Sequence, residues 1–127
     1  MRTLRRVLLL AMIATTVSAC SKGRKNTGTP LVAVPASLRV ESHHWLDVVI
    51  YAVHDGQRTR LGMVPATKTT GFTIPASMLG QVATIQLIAD PVGANASIAS
   101  DRIAVRPGTR LVWTLESDLA RSALTVY

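Results

Sequence analysis

With 127 residues, the chain is long enough for one domain and too short for several. Its single cysteine cannot form a disulfide within the chain, so the core must be held together by apolar packing. The formal net charge of +7 suggests a nucleic-acid ligand, but eight basic and seven acidic side chains follow Thr27, so the excess lies before it. This nearly neutral remainder argues against a phosphate-binding footprint, and we expect no nucleic-acid partner.

Residues 1–19 have the features of a secretory signal peptide, which we expect to be helical. A basic start precedes an apolar run from Val7 to Val17, which is shorter than the roughly 20 apolar residues of a transmembrane helix. The run ends in Val17-Ser18-Ala19-Cys20, which resembles the lipobox of bacterial lipoproteins. The resemblance implies cleavage between Ala19 and Cys20, with a covalent lipid on Cys20 and no other cofactor. The alternative is an ordinary signal peptide followed by a coincidental cysteine.

A lipid on Cys20 would attach the protein to a membrane of the bacterial cell envelope. Ser21 stands where an aspartate would favour retention at the inner membrane in well-studied bacteria, so the analogy favours the outer membrane. Residues 20–35 begin polar and rich in glycine, and we interpret them as a flexible tether with a reach of about 20 Å. Its basic residues, Lys22, Arg24 and Lys25, either contact anionic head groups or are simply solvated.

Residues 36–127 are predicted to form an all-β domain. Short apolar runs alternate with turn residues at a spacing of roughly 10 residues, which indicates an antiparallel β-sandwich of seven to eight short strands. A single helical turn is predicted at 75–79, and Pro65, Pro75, Pro91 and Pro107 are expected between strands. The predicted strands are Ser37–Glu41, Leu46–His54, Gln57–Val64, Thr69–Ile74, Val82–Ala89, Ile98–Val105, Thr109–Glu116 and Ala123–Tyr127.

The clearest local signal is a hairpin around Asp55-Gly56. This pair favours the positive φ angles of a two-residue turn. The arm before the turn is apolar on both faces and is therefore predicted to be a central strand, whereas Arg58 and Arg60 give the arm after it a solvated face. Later in the chain, Trp113 alternates with leucines and is predicted to lie in the core.

The histidines invite a metal-site interpretation that their spacing does not support. On one strand, His44 and His54 would be about 33 Å apart at 3.3 Å per residue. The adjacent His43 and His44 would point to opposite faces, and no zinc-binding spacing is present. We therefore predict surface histidines and no metal site.

Signals for catalysis are also weak. The chain contains no Gly-x-Ser-x-Gly, Ser-x-x-Lys or His-Glu-x-x-His motif, so we predict that it is not an enzyme and has no catalytic residues. The segment Asp90–Asn95 is expected to be a turn in which Asp90 bonds its own backbone, or alternatively a ligand-contacting loop. Trp45 follows a polar run and is either a core residue or a partly exposed contact residue. Possible surface contacts are thus Trp45, His43, His44 and Asp90.

From Arg39 onward, several runs resemble small bacterial envelope lipoproteins of unassigned function. They include Trp45–Tyr51, Arg60–Gly62 and Leu87–Pro91. The overall plan is also similar to immunoglobulin-like or transthyretin-like sandwiches, which implies a fold and no activity. Our leading hypothesis is a lipid-anchored, non-catalytic module that binds or braces another envelope protein. The alternative is a solute- or carbohydrate-binding envelope lipoprotein.

Overall fold

The computed structural model describes residues 34–127. The predicted signal peptide, the lipobox with its cleavage site and Cys20, and the tether up to residue 33 lie outside the described residues. Within 34–127 the chain forms nine strands, one helical turn and one 3-10 turn. In chain order these are β1 (Ala36–Ser42), β2 (Val48–His54), β3 (Gln57–Val64), β4 (Thr69–Ile74), α1 (Ala76–Leu79), β5 (Ala83–Pro91), β6 (Ile98–Ala99), β7 (Ile103–Val105), β8 (Arg110–Leu115), the 3-10 turn (Leu119–Arg121) and β9 (Ala123–Val126).

The strands form two sheets, which confirms the predicted all-β sandwich. The first sheet has the order β4-β1-β8-β9, and the second has the order β3-β2-β5-β6 with β7 also paired to β5. Every pair is antiparallel except β1 with β8, which run parallel from Ser37 opposite Arg110 to Ser42 opposite Leu115. A short turn cannot join parallel strands, so this pair brings together distant parts of the chain.

The core lies between the two sheets and follows the two-residue period of the strands. In β1 the even-numbered residues are buried and the odd-numbered residues face outward, and in β8 the inward side chains are Leu111, Trp113 and Leu115. Trp113 is 2% exposed, as predicted. In the second sheet, β2 lies between β3 and β5 and is therefore the predicted central strand.

The predicted hairpin is present, and its second arm contains a bulge. Asp55 and Gly56 have φ angles of 48° and 74°, which fit the expected two-residue turn. The register shifts between Ile50 and Tyr51, because Ile50 pairs with Gly62 and Tyr51 pairs with Arg60. Leu61 is thus the extra residue of β3.

One predicted strand is divided in two. The expected strand Ile98–Val105 is interrupted between β6 and β7, since the Ser100 side chain replaces a backbone partner there. Its hydroxyl accepts the Leu87 N–H at 3.0 Å and its own N–H donates to the Leu87 carbonyl at 2.8 Å. A hydroxyl that competes with the backbone ladder ends regular pairing at this point.

The prediction that Pro91 lies between strands is wrong. Pro91 is the last residue of β5 and pairs with Val48, which is also where β2 begins, two residues later than expected. A proline is tolerated here because the end of a strand does not require its missing N–H. The helical turn α1 lies within the predicted segment 75–79.

The sandwich has two ends, which we name by their loops. The proximal end contains Val34 and Pro35, the turns 55–56 and 106–109, and the segment 75–82; the Gly108 N–H donates to the Pro35 carbonyl at 3.2 Å. The distal end contains the loops 43–47, 65–68, 92–97 and 116–122. The helices of residues 34–127 include none that is long and apolar enough to cross a membrane.

Candidate functional site

Three of the four distal loops are tied together by Asp47. Its carboxylate accepts the Ala66 N–H at 2.8 Å, and its carbonyl accepts the Val92 N–H at 2.8 Å. The Thr67 N–H also donates to the His44 carbonyl at 3.0 Å. Because these bonds join 43–47 to both 65–68 and 92–97, the distal loops form a fixed framework for the side chains they carry.

His44 lies inside this framework, so the prediction of a surface histidine is wrong at this position. It is 6% exposed, and its Nδ1 accepts the Leu46 N–H at 3.1 Å. Since Nδ1 is an acceptor, the proton of the neutral ring resides on Nε2. The inward alternation of β1, which ends at the buried Ser42, continues one step past the strand to His44, and this period was the sequence signal for burial.

Trp45 is an exposed aromatic ring on a rigid base. Its side chain is 69% exposed, so of the two alternatives the exposed contact residue is correct and the core residue is wrong. Its ring stacks on His44 with the centroids 5.6 Å apart and the planes at 21°. The buried histidine therefore fixes the orientation of the tryptophan without covering it.

A cavity of about 370 Å³ opens beside this pair of rings. Its walls come from three distal loops and are mostly apolar, with a few polar groups that include Ser97 and Asp118. The lining residues are His44, Trp45, Pro91, Ala94, Ala96, Ser97, Ile98, Ser117, Asp118, Leu119 and Ala120. We call this cavity with the Trp45 ring the distal groove. The sequence did not predict that Ala94, Ala96, Leu119 and Ala120 line a cavity, because isolated apolar residues in loops form no recognisable pattern.

His43 lies near the groove but does not line it. The residue is exposed, and its Nδ1 is 3.3 Å from a carboxylate oxygen of Glu116. Its carbonyl accepts the Ser117 hydroxyl at 3.2 Å, which connects it to a loop that forms one wall. As predicted from their adjacency, His43 and His44 point to opposite sides.

Asp90 belongs to a different surface. The predicted turn follows it, with the Ala94 N–H donating to the Pro91 carbonyl at 3.5 Å, but the prediction that the Asp90 side chain bonds that turn is wrong. Asp90 lies in β5 opposite Val49, and its carboxylate is 3.8 Å from the Arg58 guanidinium. That guanidinium also lies 3.7 Å from the ring centroid of Tyr51. These side chains occupy the outer face of the second sheet, so the structure brings together His44 and Trp45, keeps His43 nearby and separates Asp90.

The groove offers apolar walls, one aromatic ring and a few hydroxyl and carboxylate groups. Among residues 34–127, no group of three or more His, Cys, Asp or Glu side chains is arranged to hold a metal ion. An apolar cavity with a flat aromatic wall and a few polar groups can hold an apolar side chain or the face of a small ring. No protein-family model matches the chain, and the comparison with curated proteins yields no match.

Proposed function

We propose that this protein is a lipid-anchored module of the bacterial cell envelope that binds another envelope protein without catalysing a reaction. In this proposal Cys20 carries the lipid after cleavage behind Ala19, residues 20–35 form the tether, and the outer membrane is the site of attachment. The sandwich of residues 36–127 carries the binding surface. The sequence features that support the anchor are the basic start, the short apolar run and the residues Val17-Ser18-Ala19-Cys20.

The observation that carries the binding proposal is the exposure of Trp45 beside an apolar cavity. Tryptophan is enriched among the few residues that dominate the energy of protein interfaces, where it fills or borders a pocket. Trp45 is 69% exposed yet is held by the stack on His44 and by the loop that Asp47 ties down. A ring already ordered before binding loses little conformational entropy when a partner covers it.

The position of the groove suits an anchored protein. The described chain starts at Val34 at the proximal end, and Trp45 lies at the distal end beyond the far terminus of β1. The two ends of this seven-residue strand are about 20 Å apart at 3.3 Å per residue. A domain tethered through residues 20–35 would therefore present the distal groove away from its membrane.

The proposal is tested by site-specific photo-crosslinking in intact cells. A photoreactive residue replaces Ala96, which lines the groove and is exposed, and the control replaces Thr125 in β9. We expect one discrete protein adduct from position 96 and none from position 125. The adduct should disappear when Trp45→Ala is added, because the partner loses its aromatic anchor. An adduct from position 96 that persists in Trp45→Ala would contradict the proposed role of the tryptophan.

A carbohydrate ligand is the second candidate, and one feature favours it. His44 stacks on one side of the Trp45 ring, and the polar side chains of Ser97, Ser117 and Asp118 lie in the same cavity. An open ring face next to hydroxyl and carboxylate groups can stack on a sugar and hydrogen-bond its hydroxyls. Saturable binding on a glycan array that is lost in Trp45→Ala, without a protein adduct from position 96, would favour this candidate over the protein partner.

A further inference from the structure

Four of the exposed large apolar side chains of residues 34–127 lie at the proximal end, namely Val34, Val82, Val126 and Tyr127, while Trp45, Met63 and Val92 lie toward the distal end. Val34, Val82 and Tyr127 are 46%, 52% and 72% exposed. All three lie at the proximal end, because Val82 directly precedes β5 and Tyr127 exchanges backbone hydrogen bonds with Arg110 at 2.8 and 3.2 Å. Exposed apolar side chains at this end can add shallow apolar contact to a surface whose attraction comes from charge.

The same end carries cations that the rest of the domain does not neutralise. Arg102, Arg106 and Arg110 lie at or near the proximal turns, and among residues 34–127 none has a carboxylate within 4.0 Å. Two carboxylates lie near these cations: Asp55, which contacts His54 at 3.1 Å, and Asp101, which directly precedes Arg102. The proximal end therefore has three arginines without ion-pair partners in the described part of the chain against two carboxylates, and it keeps a small excess of positive charge.

The distal end has the opposite balance. Four carboxylates, from Asp47, Asp90, Glu116 and Asp118, lie in or next to the distal loops, against the cations Lys68 and Arg121. Arg121 itself is 3.7 Å from Asp118. The charges are thus separated along the long axis of the sandwich, with the positive side where the described chain begins.

We propose that the proximal end is a contact surface for anionic phospholipid head groups. A negatively charged membrane attracts arginines within about one Debye length, tyrosine is enriched at the membrane interface, and exposed valines add apolar area that the interface can bury. Arg102, Arg106 and Arg110 supply the attraction, and Val34, Val82 and Tyr127 supply the shallow apolar contact. The acidic distal end is repelled by the same membrane, so the two ends together orient the domain.

This inference deepens the proposed function, because it states how an anchored domain would lie on its membrane. It can nevertheless fail separately, since the contact does not require the lipid. The test therefore uses the full chain carrying Cys20→Ser, and its partition coefficient is measured with vesicles of phosphatidylglycerol and phosphatidylcholine and with vesicles of phosphatidylcholine alone.

The decisive comparison is between two variants with the same change of charge. Arg106→Gln with Arg110→Gln removes two proximal cations, and Lys68→Gln with Arg121→Gln removes two distal cations. Residues 1–33 are the same in the parent chain and in both variants, so their contribution to the partition coefficient cancels in the ratio of variant to parent. At low ionic strength each proximal arginine contributes about fivefold, so the proximal pair should lower the partition coefficient by about 25-fold. The distal pair should change it by less than about twofold, and circular dichroism confirms that both variants fold.

Several results would overturn the proposal. Equal losses from the proximal and distal pairs would show a charge effect without a surface, and no loss from the proximal pair would show that these arginines do not contact lipid. Arg39 and Arg110 also border an open depression of about 720 Å³ on the first sheet, which makes an anionic polysaccharide the competing ligand. If the proximal pair of substitutions abolished binding to an immobilised anionic polysaccharide and left binding to anionic vesicles unchanged, the ligand of this end would be the polysaccharide and not the lipid.

Discussion

Adding a single methyl group at Gly62, by the substitution Gly62→Ala, should lower the stability of the domain markedly. Gly62 lies in β3 beside the bulge, where the edge of the second sheet meets Phe72 of the first sheet. A Cβ atom added at Gly62 would lie 2.6 Å from Cε1 and 3.2 Å from Cδ1 of the Phe72 ring. Carbon atoms pack at about 3.5 to 4.0 Å, so the ring or the strand must move by about 1 Å in Gly62→Ala.

The cost of that movement can be estimated from overpacked cores. Inserting a methyl group where there is no space typically lowers the free energy of unfolding by about 1 to 3 kcal/mol. For a domain of this size, a loss of about 2 kcal/mol lowers Tm by about 8 to 16 °C. Thermal unfolding followed by circular dichroism should show this shift, together with a lower midpoint in urea.

Gly71→Ala is the control for alanine in a strand, but Gly62 also has a φ angle of 157°, which strains alanine, so Phe72→Leu is the variant that isolates the contact with the ring. Gly71 also lies in a strand, but a Cβ atom there would meet no other atom within 4 Å. We expect Gly71→Ala to leave stability unchanged or to raise it by about 0.5 kcal/mol, because alanine restricts the unfolded chain. Adding Phe72→Leu to Gly62→Ala should recover part of the loss. Equal effects of Gly62→Ala and Gly71→Ala, or no recovery with Phe72→Leu, would refute the steric reasoning.

Three further predictions concern the core and the distal loops. In urea unfolding, Trp113→Ala should lower the free energy of unfolding by about 3 to 5 kcal/mol, because the ring is buried. Trp45→Ala should change it by less than about 0.5 kcal/mol, because the ring is exposed. Similar losses in the two variants would contradict this difference in burial. In acrylamide quenching, the fluorescence of Trp113→Phe should be quenched far more than that of Trp45→Phe, and equal quenching would place Trp45 in the interior. Asp47→Ala should lower the free energy of unfolding by about 1.5 kcal/mol, whereas Asp47→Asn should retain most of the stability, because asparagine keeps the oxygen that accepts the Ala66 N–H. Equal losses in the two variants would show that this hydrogen bond does not hold the loops together.

Much of the fold could be predicted because its signals are local. Apolar alternation located the strands, and the Asp55-Gly56 pair located the hairpin, since each depends only on residues next to each other in the chain. The central position of β2 followed from its two apolar faces. The parallel pairing of β1 with β8 could not be predicted in this way, because it joins segments about 70 residues apart without any local mark.

The candidate site was less predictable, for a related reason. The polar run from Glu41 to His44 suggested a surface, although the two-residue period of β1 already directed Ser42 and His44 inward. Trp45 follows His44 and therefore faces outward. The cavity wall itself depends on tertiary contact between the loops 92–97 and 116–122, which composition does not reveal. Asp90 was misplaced because a strand-ending proline resembles a turn signal.

The measurement that bears most directly on the lipid-anchored module is the membrane attachment of Cys20→Ser. The parent chain, Cys20→Ser and the control Ser21→Ala are expressed in bacteria with a labelled fatty acid, and the membrane and soluble fractions are compared. We expect the parent and Ser21→Ala to incorporate label and remain in the membrane fraction. Cys20→Ser should incorporate none, because it lacks the thiol that forms the thioether. Equal labelling and equal membrane attachment of Cys20→Ser would contradict the anchor and the function built on it.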